Sequence, residues 1–366
     1  MSAIQLQQKA RKSATVSARR LGETRLLALD RESGSVEHSR VACLADFFRS
    51  GDRLVVNDAA TIPASLLGRH SRSGAAVEIR LLSRLPARMA GGSQWRAVIF
   101  GDGDWRTPTE LRAQPPAISR GDRIELAGGL AARVLGVHAA VSERLLDIEL
   151  VVRSAARSAA RSAVEPGSGG VLGGIYRAGR PIQYSYLEKK LEPWDQQTLF
   201  SGPPAALEPP SAAFALTWSA VIGLRKKGVE VLTVTHGTGV SDTGDQRINA
   251  LLPMPETSLV GAETQRRLLR AQSENSRIIA VGTGTVRALE SWAAGETREG
   301  LTSLRIGPET KLRIVTGILT GMHDSGASHL DLLAAWRAPE LLERGYREAQ
   351  ARGYLWHEYG DQCLLT

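Results

Sequence analysis

The stretch Ile279-Ala280-Val281-Gly282-Thr283-Gly284-Thr285-Val286-Arg287 passes from an apolar segment through alternating glycine and threonine into a helical pattern. The apolar part predicts a strand, Arg277–Val281, and the residues after the turn predict a helix, Thr285–Ala294. Glycine lets a ligand approach the backbone closely, and free N–H groups at a helix N-terminus attract carboxylate or phosphate. The turn matches neither the dinucleotide fingerprint nor the phosphate-binding loop, and an ordinary turn with a threonine N-cap is the alternative.

Two further segments repeat this pattern of an apolar strand followed by polar residues. They are Val234–Gly239, which contains His236, and Ile318–Gly326, which contains His323 and Asp324. Because the carboxyl ends of strands in an α/β sheet converge on a crevice, the three segments together predict a ligand site. Histidine titrates near neutral pH, so His236 and His323 are candidates for proton transfer, and Asp324 is a candidate for orienting an imidazole.

The second half of the chain alternates strands and helices, which predicts an α/β layer. The predicted strands include Val229–Thr235 and Lys311–Leu319, and the predicted helices include Ala262–Gln272 and Ser328–Arg337. Together with strand patterns near the start of the chain, this alternation predicts an α/β main domain made of residues 1–62 and 171–366.

Residues 63–152 have a different pattern, in which short apolar runs recur at close spacing between clusters of Gly, Pro and Ser. Helical periodicity is absent from this segment. Such spacing is typical of a small β-barrel or sandwich. The predicted fold is therefore an α/β main domain with an inserted small all-β barrel domain.

Residues 153–170 carry Arg153, Arg157 and Arg161 in an Arg/Ser/Ala repeat that is followed by a Gly-rich run. A four-residue step would place the three arginines on one side of a helix, where they could contact a phosphate backbone. A solvated linker is the other interpretation of such a low-complexity segment, and it is the one we adopt.

The net charge of +8 comes from 46 Lys plus Arg against 38 Asp plus Glu, and 39 of the 46 are arginine. A nucleic-acid partner would explain this excess, and so would a genomic bias toward Arg and Ala codons.

Cys43 and Cys363 have no zinc-motif or disulfide spacing, and no metal site is predicted. No apolar run of about 18 residues and no secretory signal is seen, so we expect a cytoplasmic protein without a membrane span. Nothing in the sequence indicates an oligomeric state.

Motif matches to a known family extend over most of the chain. They are Gly51–Gly68, Gln197–Phe200, Lys227–Gly239, Ala280–Ser291, Thr320 with His323, and Tyr359-Gly360-Asp361. In this order they resemble the motifs of the S-adenosylmethionine:tRNA ribosyltransferase-isomerase family of queuosine biosynthesis. The resemblance implies the fold of that family, which is a barrel inserted in an α/β body.

The resemblance also implies that S-adenosylmethionine is a co-substrate. The family's enzyme transfers the ribosyl part of this sulfonium compound to 7-aminomethyl-7-deazaguanine in tRNA, giving epoxyqueuosine and releasing adenine and methionine. The sulfonium acidifies the adjacent C5′, so a positioned base can generate a carbon nucleophile there. The residues we expect to contact S-adenosylmethionine are Asn57, Thr235, Gly237, Gly239, Glu256, Gly282, Thr283, Thr285, Arg287 and Thr320.

The chain departs from the family pattern at several motifs. Arginine is missing where Asp58-Ala59-Ala60 and Pro63-Ala64-Ser65 replace the family's Asn-Thr-Arg and Pro-Ala-Arg. Histidine is missing from Pro210–Leu216 and from Met254-Pro255-Glu256. Because a fold does not dictate its chemistry, three hypotheses stay open. The protein catalyses the family reaction on tRNA, or it acts on S-adenosylmethionine with a small-molecule acceptor or none in a specialised pathway, or it binds a nucleoside or RNA without catalysis.

Overall fold

The computed structural model describes residues 12–14, 23–85, 93–152, 170–297, 300–324 and 328–366. The predicted linker, residues 153–170, lies outside these ranges except for Gly170. The strands in these ranges are β1 (Lys12–Ser13), β2 (Arg25–Asp30), β3 (Ser35–Arg40), β4 (Arg53–Asn57), β5 (Ala60–Thr61), β6 (Ser65–His70), β7 (Ala76–Arg84), β8 (Ser93–Phe100), β9 (Arg123–Leu126), β10 (Leu130–Val137), β11 (Leu145–Val152), β12 (Gly179–Arg180), β13 (Pro204–Ala206), β14 (Glu230–His236), β15 (Glu256–Leu259), β16 (Ile278–Val281), β17 (Leu301–Thr302), β18 (Gly317–Gly321), β19 (Leu355–Trp356) and β20 (Gln362–Leu365). The α-helices there are α1 (Gly170–Ala178), α2 (Trp218–Lys226), α3 (Gln246–Asn249), α4 (Ala262–Ser273), α5 (Thr283–Ala294), α6 (Ser328–Leu333) and α7 (Pro339–Ala351).

The larger sheet has nine strands in the order β17-β15-β14-β4-β16-β18-β20-β2-β3. Its central strands β14, β4, β16 and β18 are parallel, and antiparallel pairings flank them. Strand β4 is buried along its whole length, as expected for a parallel strand covered on both faces. Since the four central strands run in the same direction, their carboxyl ends meet at one edge of the sheet.

A hydrophobic layer covers each face of this sheet. Val55 and Ile318 pack in one layer with Leu289 of α5. Leu54 and Ile279 pack in the other layer, with residues of α2 and of a 3₁₀ helix that spans Val41–Phe47. The alternation of Leu54 and Val55 between the two layers follows from the two-residue period of a strand.

A second sheet closes on itself. Strands β6, β7, β8, β11, β10 and β9 pair in that order, and β6 also pairs with β9, so the six antiparallel strands form a barrel. The barrel strands form a buried hydrophobic cluster that continues to Ile175 of α1 and to Met254. The predicted combination of a small β-barrel with an α/β layer is thereby confirmed. The predicted domain boundaries stay a prediction.

Two predicted elements begin two or more residues away from the expected position. Helix α5 begins at Thr283, two residues earlier than expected. Strand β18 begins only at Gly317, although the apolar pattern predicted a strand from Lys311. The reason is that the backbone N–H groups of residues 313, 314 and 315 donate to the buried carboxylate of Glu290, over 2.7, 3.0 and 2.8 Å. These donors are therefore not available to a strand ladder.

No helix in the described ranges has both the length and the apolar character that crossing a bilayer requires.

Candidate functional site

Two adjoining cavities lie where β4, β14, β16 and β18 end. The first cavity has a volume of about 530 Å³, and its wall includes Asn57, Thr320 and the turn from Gly282 to Thr285. The second cavity has a volume of about 440 Å³, and its wall includes Gly239, Glu256 and Arg287. Both cavities share Glu208, Thr238, Ser241, Leu252, Thr283, Gly284 and His329 as wall residues. Volumes of this size are typical of small-molecule sites.

The turn between β16 and α5 separates the two cavities. Gly282 has a φ of 85°, a region that favours glycine, and its N–H donates to the carbonyl of Leu319 over 2.8 Å. The hydroxyl of Thr285 donates to the carbonyl of Val281 over 2.6 Å. Thr283 is not the N-cap of α5: its hydroxyl lies 2.9 Å from Nδ1 of His329. The turn therefore holds its threonines through contacts to the strand and to α6.

A stacked pair of histidines lines the first cavity. The rings of His323 and His329 have centroids 4.9 Å apart at an interplanar angle of 17°. Nε2 of His323 lies 2.7 Å from the hydroxyl of Thr320. Burial, and secondarily His329, hold the pKa of His323 well below its ordinary value of 6.5. Burial and the Arg287 guanidinium lower the pKa of His329. Both rings are therefore neutral near pH 7 and able to accept a proton.

Asp324 lies on the same wall but next to another histidine. Its Oδ2 lies 3.6 Å from Nε2 of His357. The His357 ring stacks on Tyr186 with centroids 4.8 Å apart, and Tyr186 in turn stacks on Tyr184. Tyr359, two residues further, stacks on Phe214 at 5.2 Å. Aromatic rings thus form one side of the first cavity, and Asp324 lies against that side.

His236 lies outside the walls of both cavities. Its side chain is completely buried, and Nε2 is 2.8 Å from Oε2 of Glu256. The same carboxylate binds Nη1 of Arg287 and accepts the N–H of Gly239 over 2.7 Å. A Cβ atom at Gly284 would lie 2.8 Å from Cδ2 of His236, so glycine is required between the ring and the cavities.

This buried group, which we call the His236–Glu256–Arg287 triad, is electrostatically coupled. Burial by itself would raise the pKa of Glu256, but Arg287 and His236 lower it to about 2. The carboxylate is therefore ionised and binds the two groups next to it. Arg287 also donates through Nε to the carbonyl of Leu304 over 2.8 Å. The triad fixes the first turn of α5 against β15.

Asn57 connects the strand ends rather than only facing the first cavity. Its Nδ2 donates to the carbonyl of His236 over 2.8 Å, and its Oδ1 accepts the N–H groups of His236 and Ala59. Thr235 and Gly237 lie away from both cavities. They line a third cavity of about 770 Å³ beside the barrel, and the hydroxyl of Thr235 donates to Asp58 over 2.6 Å.

Sequence reasoning missed several polar residues of the first cavity. Glu208 accepts a hydrogen bond from the hydroxyl of Tyr184 and another from the N–H of Ser241 over 3.1 Å. Burial raises the pKa of Glu208, and burial together with Glu208 raises the pKa of Tyr184. Glu358 also lines this cavity, and it directly precedes the Tyr359-Gly360-Asp361 motif that the sequence analysis noted. That adjacency was the one signal that could have identified it.

The fold is that of an α/β protein with two adjoining cavities at the carboxyl ends of its parallel strands. The family model described as "Queuosine biosynthesis protein" matches residues 5–365. The chain therefore belongs to the queuosine biosynthesis protein family.

Curated relatives match over nearly the whole chain. One from Chlorobium luteolum, named S-adenosylmethionine:tRNA ribosyltransferase-isomerase, is 28% identical over 94% of this chain and 93% of its own length. Relatives of the same name from Bradyrhizobium diazoefficiens and Methylocella silvestris are 30% and 31% identical, over 91% and 88% of this chain and 88% and 84% of their own lengths. A crystal structure of S-adenosylmethionine tRNA ribosyltransferase from Thermotoga maritima is 22% identical, with a TM-score of 0.48 over 97% of this chain and 96% of that one.

Proposed function

We propose that this protein is an S-adenosylmethionine-dependent transferase and isomerase that transfers the ribosyl part of S-adenosylmethionine to 7-aminomethyl-7-deazaguanine in tRNA. Membership of the queuosine biosynthesis family and the name of its relatives support this reaction. In the structure, one observation supports this reaction. The Gly282–Thr285 turn lies between two adjoining cavities. A nucleoside with an amino-acid tail needs two such compartments.

The turn supports S-adenosylmethionine binding through backbone and side-chain groups. Gly282 and Gly284 let a ligand approach the start of α5, where unpaired N–H groups favour negative charge. Arg287 is one turn further into the helix and lines the second cavity, and its Nη2 has no hydrogen-bond partner in the described structure. We propose that Arg287 meets the carboxylate of the methionine part, because guanidinium and carboxylate form strong paired hydrogen bonds.

His323 is our proposed base. Its ring is neutral, it faces the first cavity, and Thr320 and His329 hold it on two sides. A neutral imidazole can accept the C5′ proton that the sulfonium acidifies. The resulting carbon nucleophile starts the transfer, and adenine and methionine leave. Asp324 and His357 lie next to each other on the same wall, with Oδ2 of Asp324 3.6 Å from Nε2 of His357. His236 positions Glu256 and the turn rather than contacting the ligand.

Product analysis tests this proposal. The protein is incubated with S-adenosylmethionine, with and without tRNA that carries 7-aminomethyl-7-deazaguanine, and the products are analysed by mass spectrometry. We expect adenine and methionine to appear together with a mass gain on the tRNA. A His323→Ala variant should lose this turnover. His138→Ala should keep it, because His138 lies on the barrel beside Asp147 and Arg96 and lines neither cavity.

Other outcomes identify the alternatives. Release of adenine without any need for tRNA would favour a small-molecule acceptor or none. Binding of tRNA or a nucleoside without turnover would favour a non-catalytic role. Affinity for tRNA, where present, should fall steeply with salt, because each phosphate contact releases counterions.

A further inference from the structure

The acidic side chains of the first cavity contrast with the positive net charge of the whole chain. The protein carries a net charge of +8, yet this cavity is lined by three carboxylates, Glu208, Asp324 and Glu358. Among the described residues of its wall there is no lysine or arginine. Two of the wall histidines, His323 and His329, do not compensate, since their pKa values are lowered. An anionic ligand group would therefore find no lysine or arginine among the described wall residues.

Two of the three carboxylates are already engaged. Glu208 accepts hydrogen bonds from Tyr184 and from the N–H of Ser241. Asp324 lies 3.6 Å from the His357 ring. These contacts leave both carboxylates with protein partners, so neither of them requires a ligand to complete its hydrogen bonding.

Glu358 differs from the other two. Its Oε2 is buried and has no hydrogen-bond partner in the described structure. Burial raises the pKa of its carboxyl group. A buried acceptor without a partner is unfavourable, and more so when it is charged, unless a ligand group satisfies it. The aromatic rings of Tyr186 and Tyr359 also line this cavity and can face a cation.

We infer that the first cavity selects a ligand with a positively charged group, and that Glu358 is the carboxylate which contacts that group. The identity of the ligand rests on the proposed function. S-adenosylmethionine carries two such groups, the sulfonium and the α-ammonium. Glu358 then determines specificity: it favours the sulfonium substrate over neutral adenosine compounds of the same shape.

Calorimetry with three ligands shows whether Glu358 contacts the sulfonium or the ammonium. S-adenosylmethionine has the sulfonium and the ammonium, S-adenosylhomocysteine has the ammonium alone, and 5′-methylthioadenosine has neither. Each is titrated into wild type, into Glu358→Gln and into the control Glu32→Gln. Glu32 is exposed in the turn between β2 and β3 and lines none of the cavities described here, so the control removes one charge at a distant surface.

We expect Glu358→Gln to weaken S-adenosylmethionine binding about tenfold or more, since the variant loses the charge attraction between the carboxylate and the cationic group of the ligand. If Glu358 contacts the sulfonium, the other two ligands keep their affinity. If it contacts the ammonium, S-adenosylhomocysteine weakens as well and only 5′-methylthioadenosine keeps its affinity. Either result supports the inference. An equal loss for all three ligands, or no loss for S-adenosylmethionine, overturns it.

Thermal unfolding shows whether the variant folds. Because glutamine removes a charge that burial disfavours, Glu358→Gln should melt at the same temperature as wild type or higher. A residue that served only the fold would instead lower the melting temperature along with the affinity.

One further result would contradict the proposed function without testing the role of Glu358. If wild type binds none of the three adenosine ligands, the proposed function fails, and trimethylsulfonium then tests the cavity itself by saturation-transfer NMR. A signal in wild type that is absent in Glu358→Gln keeps the inference, and equal or absent signals in both proteins overturn it.

Discussion

Replacing Glu256 by glutamine should reduce the free energy of unfolding in a way that depends on pH. Glu256 is the acidic member of the His236–Glu256–Arg287 triad, and the neighbouring groups hold its pKa at about 2, against an ordinary value of 4.5. Because the pKa is lower in the folded state, the charged carboxylate stabilises the fold. This stabilisation is complete well above pH 4.5 and is lost as the pH falls toward 2.

The size of the effect follows from the two pKa values. The difference between 4.5 and about 2 corresponds to about 3 kcal/mol at pH 7 and to about 1.5 kcal/mol at pH 3. Glutamine cannot ionise, so it lacks this contribution at every pH. The gap in unfolding free energy between wild type and Glu256→Gln should therefore shrink by about half between pH 7 and pH 3.

Urea unfolding, followed by far-UV circular dichroism at several pH values, measures this gap. Glu32→Gln, which changes an exposed glutamate in the same way, should differ little from wild type at any of them. The reasoning is refuted if the gap is below about 1 kcal/mol at pH 7, or if it stays constant down to pH 3. A constant gap would mean that glutamine changes packing rather than charge.

Three further predictions concern single residues. Substituting His323 by alanine should abolish product formation while the melting temperature changes little, and a matching loss of stability would show that this histidine is structural. Glu290→Gln should lower the free energy of unfolding by about 1–3 kcal/mol, because three backbone N–H groups bind its carboxylate, and unchanged urea unfolding would contradict this. Gly284→Ala should lose both stability and S-adenosylmethionine binding, since the added Cβ would lie 2.8 Å from His236, and a variant with wild-type calorimetry would show that the site can relax.

The sequence pattern predicts much of the fold because its strands and helices have clear local signals. The apolar residues before Gly282 indicate β16, and the helical pattern after it indicates α5. The local pattern fails to predict the structure where a distant side chain binds the backbone N–H groups of a predicted strand. Glu290 binds the N–H groups just before β18, and nothing in the local pattern of Lys311–Leu319 signals this.

The candidate site was predictable only in part, and for a related reason. The glycine–threonine turn and His323 follow strands, so the sheet topology brings them to one edge. Glu208 and Tyr184 come from irregular segments that carry no periodicity, and they meet only through the tertiary fold. Sequence reasoning also treated Glu256 and Arg287 as separate ligand contacts. Their ion pair with each other depends on the packing of α5 against β15.

The position of β20 in the larger sheet has a consequence for biosynthesis. β20 lies between β18 and β2, and Arg25 accordingly bonds to Asp361, which is 336 positions later in the chain. At a translation rate of about 5–20 residues per second, the β2–β3 hairpin leaves the ribosome roughly 20–60 s before the strand that pairs with it. The strands of the barrel, between residues 65 and 152, are all available during that interval. The nascent chain therefore carries an unpaired apolar strand edge for most of its synthesis, and such an edge can pair with another chain.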